Sequence, residues 1–132
     1  MRIVFLCILF SGLFFSGCSE DDGQEKTIDG MWVLKHSADK EGAEMDFDED
    51  DVVWIFNTAQ NSITVQNSVS TPSAINIYAG VPSGTYIYRI AEQENDKVLF
   101  IDNMKQGIFA FDKNNLVIRT NTSNDIVKVF ER

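Results

Sequence analysis

The chain has 132 residues and a formal net charge of −9, with 20 acidic against 11 basic residues. This length allows one globular domain at most, and the acidic balance argues against nucleic-acid binding, because phosphate contacts need a stripe of lysine and arginine. With one histidine in the chain, a histidine-based catalytic system would rest on that residue alone.

Residues 1–17 have the pattern of a secretory signal peptide. Arg2 is followed by an apolar run over residues 3–10, and two small residues stand directly before Cys18. The run is interrupted at residues 11–12, whereas a membrane-spanning helix needs about 20 apolar residues. We therefore predict that this segment is removed and does not remain as a membrane span.

The motif Ser16-Gly17-Cys18 resembles the bacterial lipobox. The resemblance implies that Cys18 is acylated, as in palmitate-bearing lipoproteins, and becomes the first residue of the mature protein. The alternative is an ordinary secretory signal that leaves Cys18 free. Because each buried methylene contributes about 0.8 kcal/mol, an anchor with two or more acyl chains gives lasting attachment. We expect a lipoprotein that is anchored to a membrane, with no disulfide, since Cys7 leaves with the signal peptide.

Acidic residues are concentrated next to this anchor. Residues 18–51 contain thirteen acidic and three basic side chains, whereas residues 52–132 contain seven of each sign. The run at residues 19–22, Ser-Glu-Asp-Asp, resembles the export tag of Bacteroidetes lipoproteins, which implies the exposed face of the cell outer membrane. The alternative is a solvated spacer that like-charge repulsion keeps extended. In both cases we predict a tether over residues 18–27.

The remaining residues, 28–132, have the pattern of an antiparallel β domain. Short apolar or alternating runs are separated by turn-forming residues at the spacing typical of all-β sandwiches and barrels. The predicted strands cover residues 30–37, 51–57, 62–67, 74–79, 85–90, 97–101, 107–111, 115–119 and 126–130. Residues 39–51 form a long polar connection. Short turns favour a meander, and closing it removes exposed edges. The sequence thus predicts an all-β, up-and-down barrel of about eight strands.

Residues 28–34, which include Gly30 and Trp32, resemble the glycine-x-tryptophan opening of lipocalins and of the lipocalin-like domains common among Bacteroidetes lipoproteins. Three later stretches are also similar to those domains: 53–57, 84–90 and 129–132. The resemblance implies a lipocalin-like barrel in which Trp32 closes one end and an arginine of the last strand packs across it by cation–π contact. By position that residue is Arg132, with Arg119 as the alternative.

The resemblance also implies a protein that binds a small apolar or glycan-related ligand. Tyr86 and Tyr88 alternate along one predicted strand and combine apolar rings with polar hydroxyls, so they and Trp54 are candidate ligand contacts. The aromatic side chains equally fit a filled core, since a small barrel either fills with side chains or holds one ligand. The alternative function is a non-enzymatic interaction or structural component of an outer-membrane or cell-surface complex, contacting a partner through loops such as residues 39–51.

The sequence contains few residues that indicate a catalytic or a metal-binding site. His36 lies on a predicted strand and is read as a surface or barrel-end residue. Asp46, Asp48 and Asp50 match the opening of a calcium loop, but Asp51 stands where that loop needs glycine. We therefore expect a solvated acidic loop, no metal or cofactor, and no enzymatic activity, with a carboxylate-based hydrolase as the remaining enzymatic alternative.

Overall fold

The computed structural model describes residues 27–120 and 125–132. The predicted signal peptide, the lipidation site Cys18 and residues 18–26 of the predicted tether lie outside the described residues. Their assignments stay predictions.

Nine antiparallel strands make up the described part of the chain. They are β1 Gly30–Ala38, β2 Glu44–Asp46, β3 Val52–Asn57, β4 Ser62–Asn67, β5 Gly84–Gln93, β6 Asp96–Ile101, β7 Met104–Asp112, β8 Asn115–Arg119 and β9 Val127–Glu131. Each strand from β3 to β8 pairs with the strand that follows it in the chain, and β1 pairs with both β3 and β9. The result is a closed barrel of eight strands, with β2 as an extra strand on β1, which confirms the predicted fold class.

Alternation along the strands places one set of side chains inside the barrel. In β4, for example, Ile63 and Val65 are buried while Gln66 is exposed. Inward side chains meet as packed aromatic pairs: the ring centroids of Trp54 and Phe130 lie 4.4 Å apart, and Phe56 meets Tyr88 edge-on at 5.1 Å. Burying each large side chain contributes about 1.5–3 kcal/mol. The centre of the barrel is thus a core filled by side chains.

The strand predicted at residues 74–79 is wrong. These residues lie in the connection between β4 and β5, where Ile75 and Ile77 are 57% and 49% exposed. Their alternation with Asn76 and Tyr78 imitates a strand. The backbone here is instead held by the side chains of Asn67 and of Ser70, which hydrogen-bonds both the N–H and the carbonyl oxygen of Asn76.

A short strand forms where the sequence predicts only a polar connection. Glu44–Asp46 pairs with the end of β1, with Asp46 opposite His36. Among the described residues there is also no helix with the length and apolarity required to cross a bilayer.

Candidate functional site

The barrel has two ends with different coverings. At the first, which we call the Trp32 end, the chain enters β1 and leaves β9. At the second, the lid end, residues 68–83 connect β4 to β5 over the barrel opening, and we call this segment the lid loop. Ala79 and Val81 of the lid loop are buried against the core.

A pocket of about 260 Å³ opens at the Trp32 end. Its apolar wall is formed by the rings of Trp32 and Phe111, whose centroids lie 6.0 Å apart. The other lining residues are Thr27, Lys113, Asn114 and Arg132. The volume is below the roughly 300–1,000 Å³ of sites for drug-sized ligands. The pocket therefore suits a ligand with one ring, such as a monosaccharide or a small aromatic compound.

Arg132 is held in this pocket by three contacts. The guanidinium carbon Cζ lies 4.3 Å from the centre of the Trp32 ring, and Nη2 donates to the carbonyl oxygens of Thr27 and Asp29 at 2.5 and 2.6 Å. This is the position that the lipocalin resemblance implies for an arginine of the last strand. Arg119, the alternative, is an exposed residue of β8.

Polar groups around Trp32 are paired within the chain. Its indole Nε1 donates to the carbonyl oxygen of Ile28 at 2.8 Å. The Asp29 carboxylate accepts from the backbone N–H and hydroxyl of Thr58 at 2.9 and 3.0 Å. These hydrogen bonds, aided by the charge of Arg132, hold the pKa of Asp29 below its ordinary value. At the Trp32 end, hydrogen bonds therefore join the segment before β1 to Arg132 after β9 and to Thr58 after β3.

The three predicted ligand contacts lie elsewhere. Trp54 and Tyr88 are core residues, 1% and 6% exposed, and burial raises the pKa of Tyr88. Tyr86 is half-buried, and its hydroxyl donates to the carbonyl oxygen of Pro82 at 2.7 Å. None of them lines the pocket at the Trp32 end. Contact of these three residues with a ligand stays a prediction.

Sequence reasoning missed three lining residues of the pocket, namely Thr27, Lys113 and Asn114. Phe111 is one of the aromatic residues that could line a pocket or fill the core, and it carries a recognisable signal. Phe111 follows Phe109 by two residues, which places both rings on the same face of a strand. Lys113 and Asn114 form the turn between β7 and β8, and only the closure of the barrel brings that turn beside Trp32.

Asn67 holds the lid loop in place. Its side-chain nitrogen donates to the carbonyl oxygens of Ala79 and Val81 at 3.2 and 2.8 Å. Its side-chain oxygen accepts from the backbone N–H groups of Val69 and Ser70, both at 2.8 Å. A single buried amide therefore satisfies backbone groups at the beginning and at the end of the loop.

A second connection joins the lid loop to β1. The buried hydroxyl of Ser37 donates to the carbonyl oxygen of Tyr78 at 2.7 Å, and the Tyr78 hydroxyl donates to Asp39 Oδ2 at 2.8 Å. The latter bond lowers the pKa of Asp39 and raises that of Tyr78. The lid loop is therefore fastened on two sides of the barrel opening.

His36 joins β1 to the extra strand β2. Its Nδ1 lies 2.6 Å from Asp46 Oδ1, and its Nε2 lies 3.4 Å from Glu44 Oε1. Next to them, the acidic segment that partly matches a calcium loop forms a turn in which the backbone N–H of Asp48 donates to Asp51 Oδ2 at 2.9 Å. Within residues 27–120 and 125–132, no group of three or more His, Cys, Asp or Glu side chains is arranged to hold a metal ion.

Comparison with known proteins gives no relative: no family model matches the chain, and no curated protein or solved structure matches it significantly. The closed antiparallel barrel is consistent with a lipocalin-like architecture. The resemblance to lipocalins stays a prediction, which depends on the short motifs at Gly30, Trp32 and Arg132.

Proposed function

We propose that this chain is a surface-anchored lipocalin-like lipoprotein that binds a small apolar or glycan-related ligand. The observation that carries the proposal is the pocket at the Trp32 end, where two aromatic rings stand beside polar and cationic side chains. The half-buried ring of Phe111 offers a flat apolar surface against which a sugar or another ring can pack, next to the Trp32 ring, which the Arg132 guanidinium covers. The polar side chains around them can orient such a ligand.

Charge and volume limit the class of ligand. Lys113 and Arg132 both line the pocket, so a neutral or anionic ligand is favoured over a cationic one. The Trp54–Phe130 and Phe56–Tyr88 pairs pack in the centre of the barrel, which argues against a long acyl chain as the ligand. We therefore expect a monosaccharide or a small aromatic compound that binds at the rim.

The predicted anchor would place this pocket near the membrane. Thr27 lines the pocket and is the last residue of the predicted tether, which begins at Cys18. A flexible chain of this length spans roughly 15–20 Å. A ligand exposed at the membrane surface, such as the sugar of a glycolipid or a surface glycan, fits this position.

The proposal is tested by following the indole N–H signal of Trp32 by NMR while the full chain is titrated with N-acetylglucosamine, galactose and indole. At least one of these should move the signal saturably. Phe111→Ala should weaken that binding about tenfold or more, because it removes one wall of the pocket. Phe100→Ala is the matched control, since Phe100 stacks with Arg89 away from the pocket, 3.9 Å from guanidinium carbon to ring centre.

Native mass spectrometry extends the test beyond these three compounds. Protein isolated from its own host should carry a small-molecule adduct that is lost in Phe111→Ala. Adduct-free protein, together with an unmoved Trp32 signal, would count against ligand binding at this end.

A second candidate function is that of an interaction component in an envelope complex. It is favoured by the exposed isoleucines of the lid loop, Ile75 and Ile77, since exposed apolar side chains in proximity are typical of contact surfaces. Pull-down from membranes should then give one stoichiometric protein partner, and Ile77→Ser should release it.

A further inference from the structure

We propose that the lid end contains a second binding site, in which Lys128 and Trp54 together bind the carboxylate group of a small ligand beneath the lid loop. This site is separate from the pocket at the Trp32 end. Lys128 lies four residues before Arg132, which corresponds to about 13 Å along an extended strand.

Lys128 is a cation on the inner face of the barrel. It shares that face with Phe130 and stands opposite Ser37 of β1 and Ile118 of β8. Only 6% of the residue is exposed. Within residues 27–120 and 125–132, no ion pair or hydrogen bond to its ammonium group is found. Its Nζ is not among the buried atoms without a partner, so the ammonium group keeps some contact with solvent, while the burial of the rest of the side chain makes its charge costly to hydrate.

A second donor without a partner belongs to Trp54. Its side chain is 1% exposed, and among the described residues its Nε1 is the one buried side-chain nitrogen or oxygen without a hydrogen bond. A buried donor without a hydrogen bond destabilises the folded protein. Such groups are few in folded proteins and call for a specific reason.

Gly80 of the lid loop brings these two side chains to one place. A Cβ atom at Gly80 would lie 3.7 Å from Lys128 Cε and 3.9 Å from Trp54 Cζ2. Its φ of +86° is in the left-handed region that favours glycine. The backbone of the lid loop therefore passes close over both side chains.

The two donors define the chemistry of the ligand. A carboxylate has two oxygens, of which one can accept from an ammonium group and the other from an indole N–H. Its negative charge would supply the counter-ion that Lys128 lacks. A neutral carbonyl would leave the charge uncompensated, and a cation would be repelled.

The state of Lys128 agrees with this arrangement. Burial lowers the pKa of its amine to about 8, as expected for a cation removed from water without a partner. A bound carboxylate would favour the charged form and raise that pKa. The packed Trp54 and Phe130 rings beneath limit the buried portion of the ligand to little more than the carboxylate group.

The two indole N–H groups allow a direct test. The full chain, labelled with ¹⁵N, is titrated with sodium acetate at constant ionic strength, with sodium chloride as the balancing salt. The Trp54 signal should shift saturably. The Trp32 signal, whose N–H is already bonded to Ile28, should stay in place. Lys128→Met should abolish the saturable shift, while Lys105→Met, which changes an exposed lysine of β7, should keep it.

Two results would overturn the proposal: a Trp54 shift that persists unchanged in Lys128→Met, or one that grows linearly with acetate and chloride alike. A measurement on the unmutated chain guards against a variant that fails to fold. After reductive methylation with ¹³C, the pKa of the Lys128 amine should rise by about one unit at saturating acetate, and an unchanged pKa would refute the site. Ligand binding at the Trp32 end is measured by the Trp32 indole N–H signal and binding at the lid end by that of Trp54. The two proposals can therefore be refuted independently.

Discussion

Trp32 and Trp54 are directly opposite each other in the β1–β3 pair, and both are almost completely buried, at 2% and 1% exposure. Their polar surroundings nevertheless differ. Trp32 donates its N–H to Ile28 and carries the guanidinium of Arg132 on its ring. The N–H of Trp54 has no partner within the described chain, and the neighbouring Lys128 has no counter-ion there.

The two ends of the barrel thus differ in whether their buried polar groups have hydrogen-bond partners. At the Trp32 end the chain satisfies its own polar groups, so these contacts add to the stability of the fold. At the lid end, the buried N–H of Trp54 carries a free-energy cost that no described side chain relieves, and the mostly buried Lys128 has no counter-ion among the described residues. A ligand gains the most binding free energy where it pairs a donor that has no partner in the protein. We therefore expect a hydrogen-bond acceptor to bind at the lid end.

The largest effect is expected from Asn67→Ala, which would open the lid end and leave the Trp32 end intact. The change removes four hydrogen bonds to the lid loop. At about 1 kcal/mol each, the free energy of unfolding should fall by about 4 kcal/mol in chemical denaturation. Asn57→Ala is the control, because Asn57 is an exposed residue at the end of β3 whose side chain makes two long, exposed hydrogen bonds with Gln60, at 3.3 and 3.4 Å, and it should cost much less stability than Asn67→Ala.

Hydrogen exchange would show where the effect of Asn67→Ala falls. Backbone amides of the lid loop, such as those of Val69 and Ser70, should lose protection, whereas the indole N–H of Trp32 should keep it. Uniform loss of protection at both ends would contradict the view that the two ends are separate units.

Lys128→Met should sharpen the comparison by removing the unpaired charge. Methionine has a similar length and no charge, so the free energy of unfolding at pH 7 should rise by about 2 kcal/mol. Lys105→Met, at an exposed position, should have little effect. A loss of stability in Lys128→Met would mean that the ammonium group is satisfied in the folded protein.

The gain should depend on pH in a defined direction. The pKa of Lys128 is about 8 in the folded state and 10.5 for an unburied lysine, as in the unfolded chain. Between pH 8 and 10.5 the unfolded chain therefore binds more protons than the folded protein. Stability of the unmutated protein therefore increases with pH in that range. The advantage of Lys128→Met should be full below pH 8 and shrink as the pH rises toward 10. The raised pKa values of Tyr78 and Tyr88 affect both proteins equally and cancel in the difference.

The alternation of apolar and polar residues was sufficient to predict most of the barrel. The strands at residues 62–67 and 115–119 have the predicted bounds, because each is a regular run between turn formers. Residues 74–79 show the same alternation, yet they form no strand. Their backbone partners are the side chains of Asn67, Ser37 and Ser70, and local patterns contain no sign of such distant bonds.

The residues of the two candidate sites were harder to predict from the sequence than the strands. Trp32 and Arg132 followed from a family resemblance, whereas Phe111 and Asn114 reach the same pocket only through barrel closure. Lys128 did have a local signal. It lies two residues before Phe130, so a strand that buries Phe130 must also turn Lys128 inward. The missing partner of Trp54 has no such signal, because the position of Gly80 over its ring depends on the course of the whole lid loop.

The smallest predicted effect compares Trp32→Phe with Trp54→Phe. Both changes replace an indole by a smaller ring and thus lose similar buried volume, but only Trp32→Phe breaks a hydrogen bond and leaves the buried carbonyl oxygen of Ile28 without its partner. Trp54→Phe removes a donor that had no partner. Trp32→Phe should therefore be the more destabilising by about 1 kcal/mol, measured by denaturant unfolding at one pH. Equal losses would show that Trp54 Nε1 is satisfied in solution, and the contrast between the two ends would then reduce to the unpaired charge of Lys128.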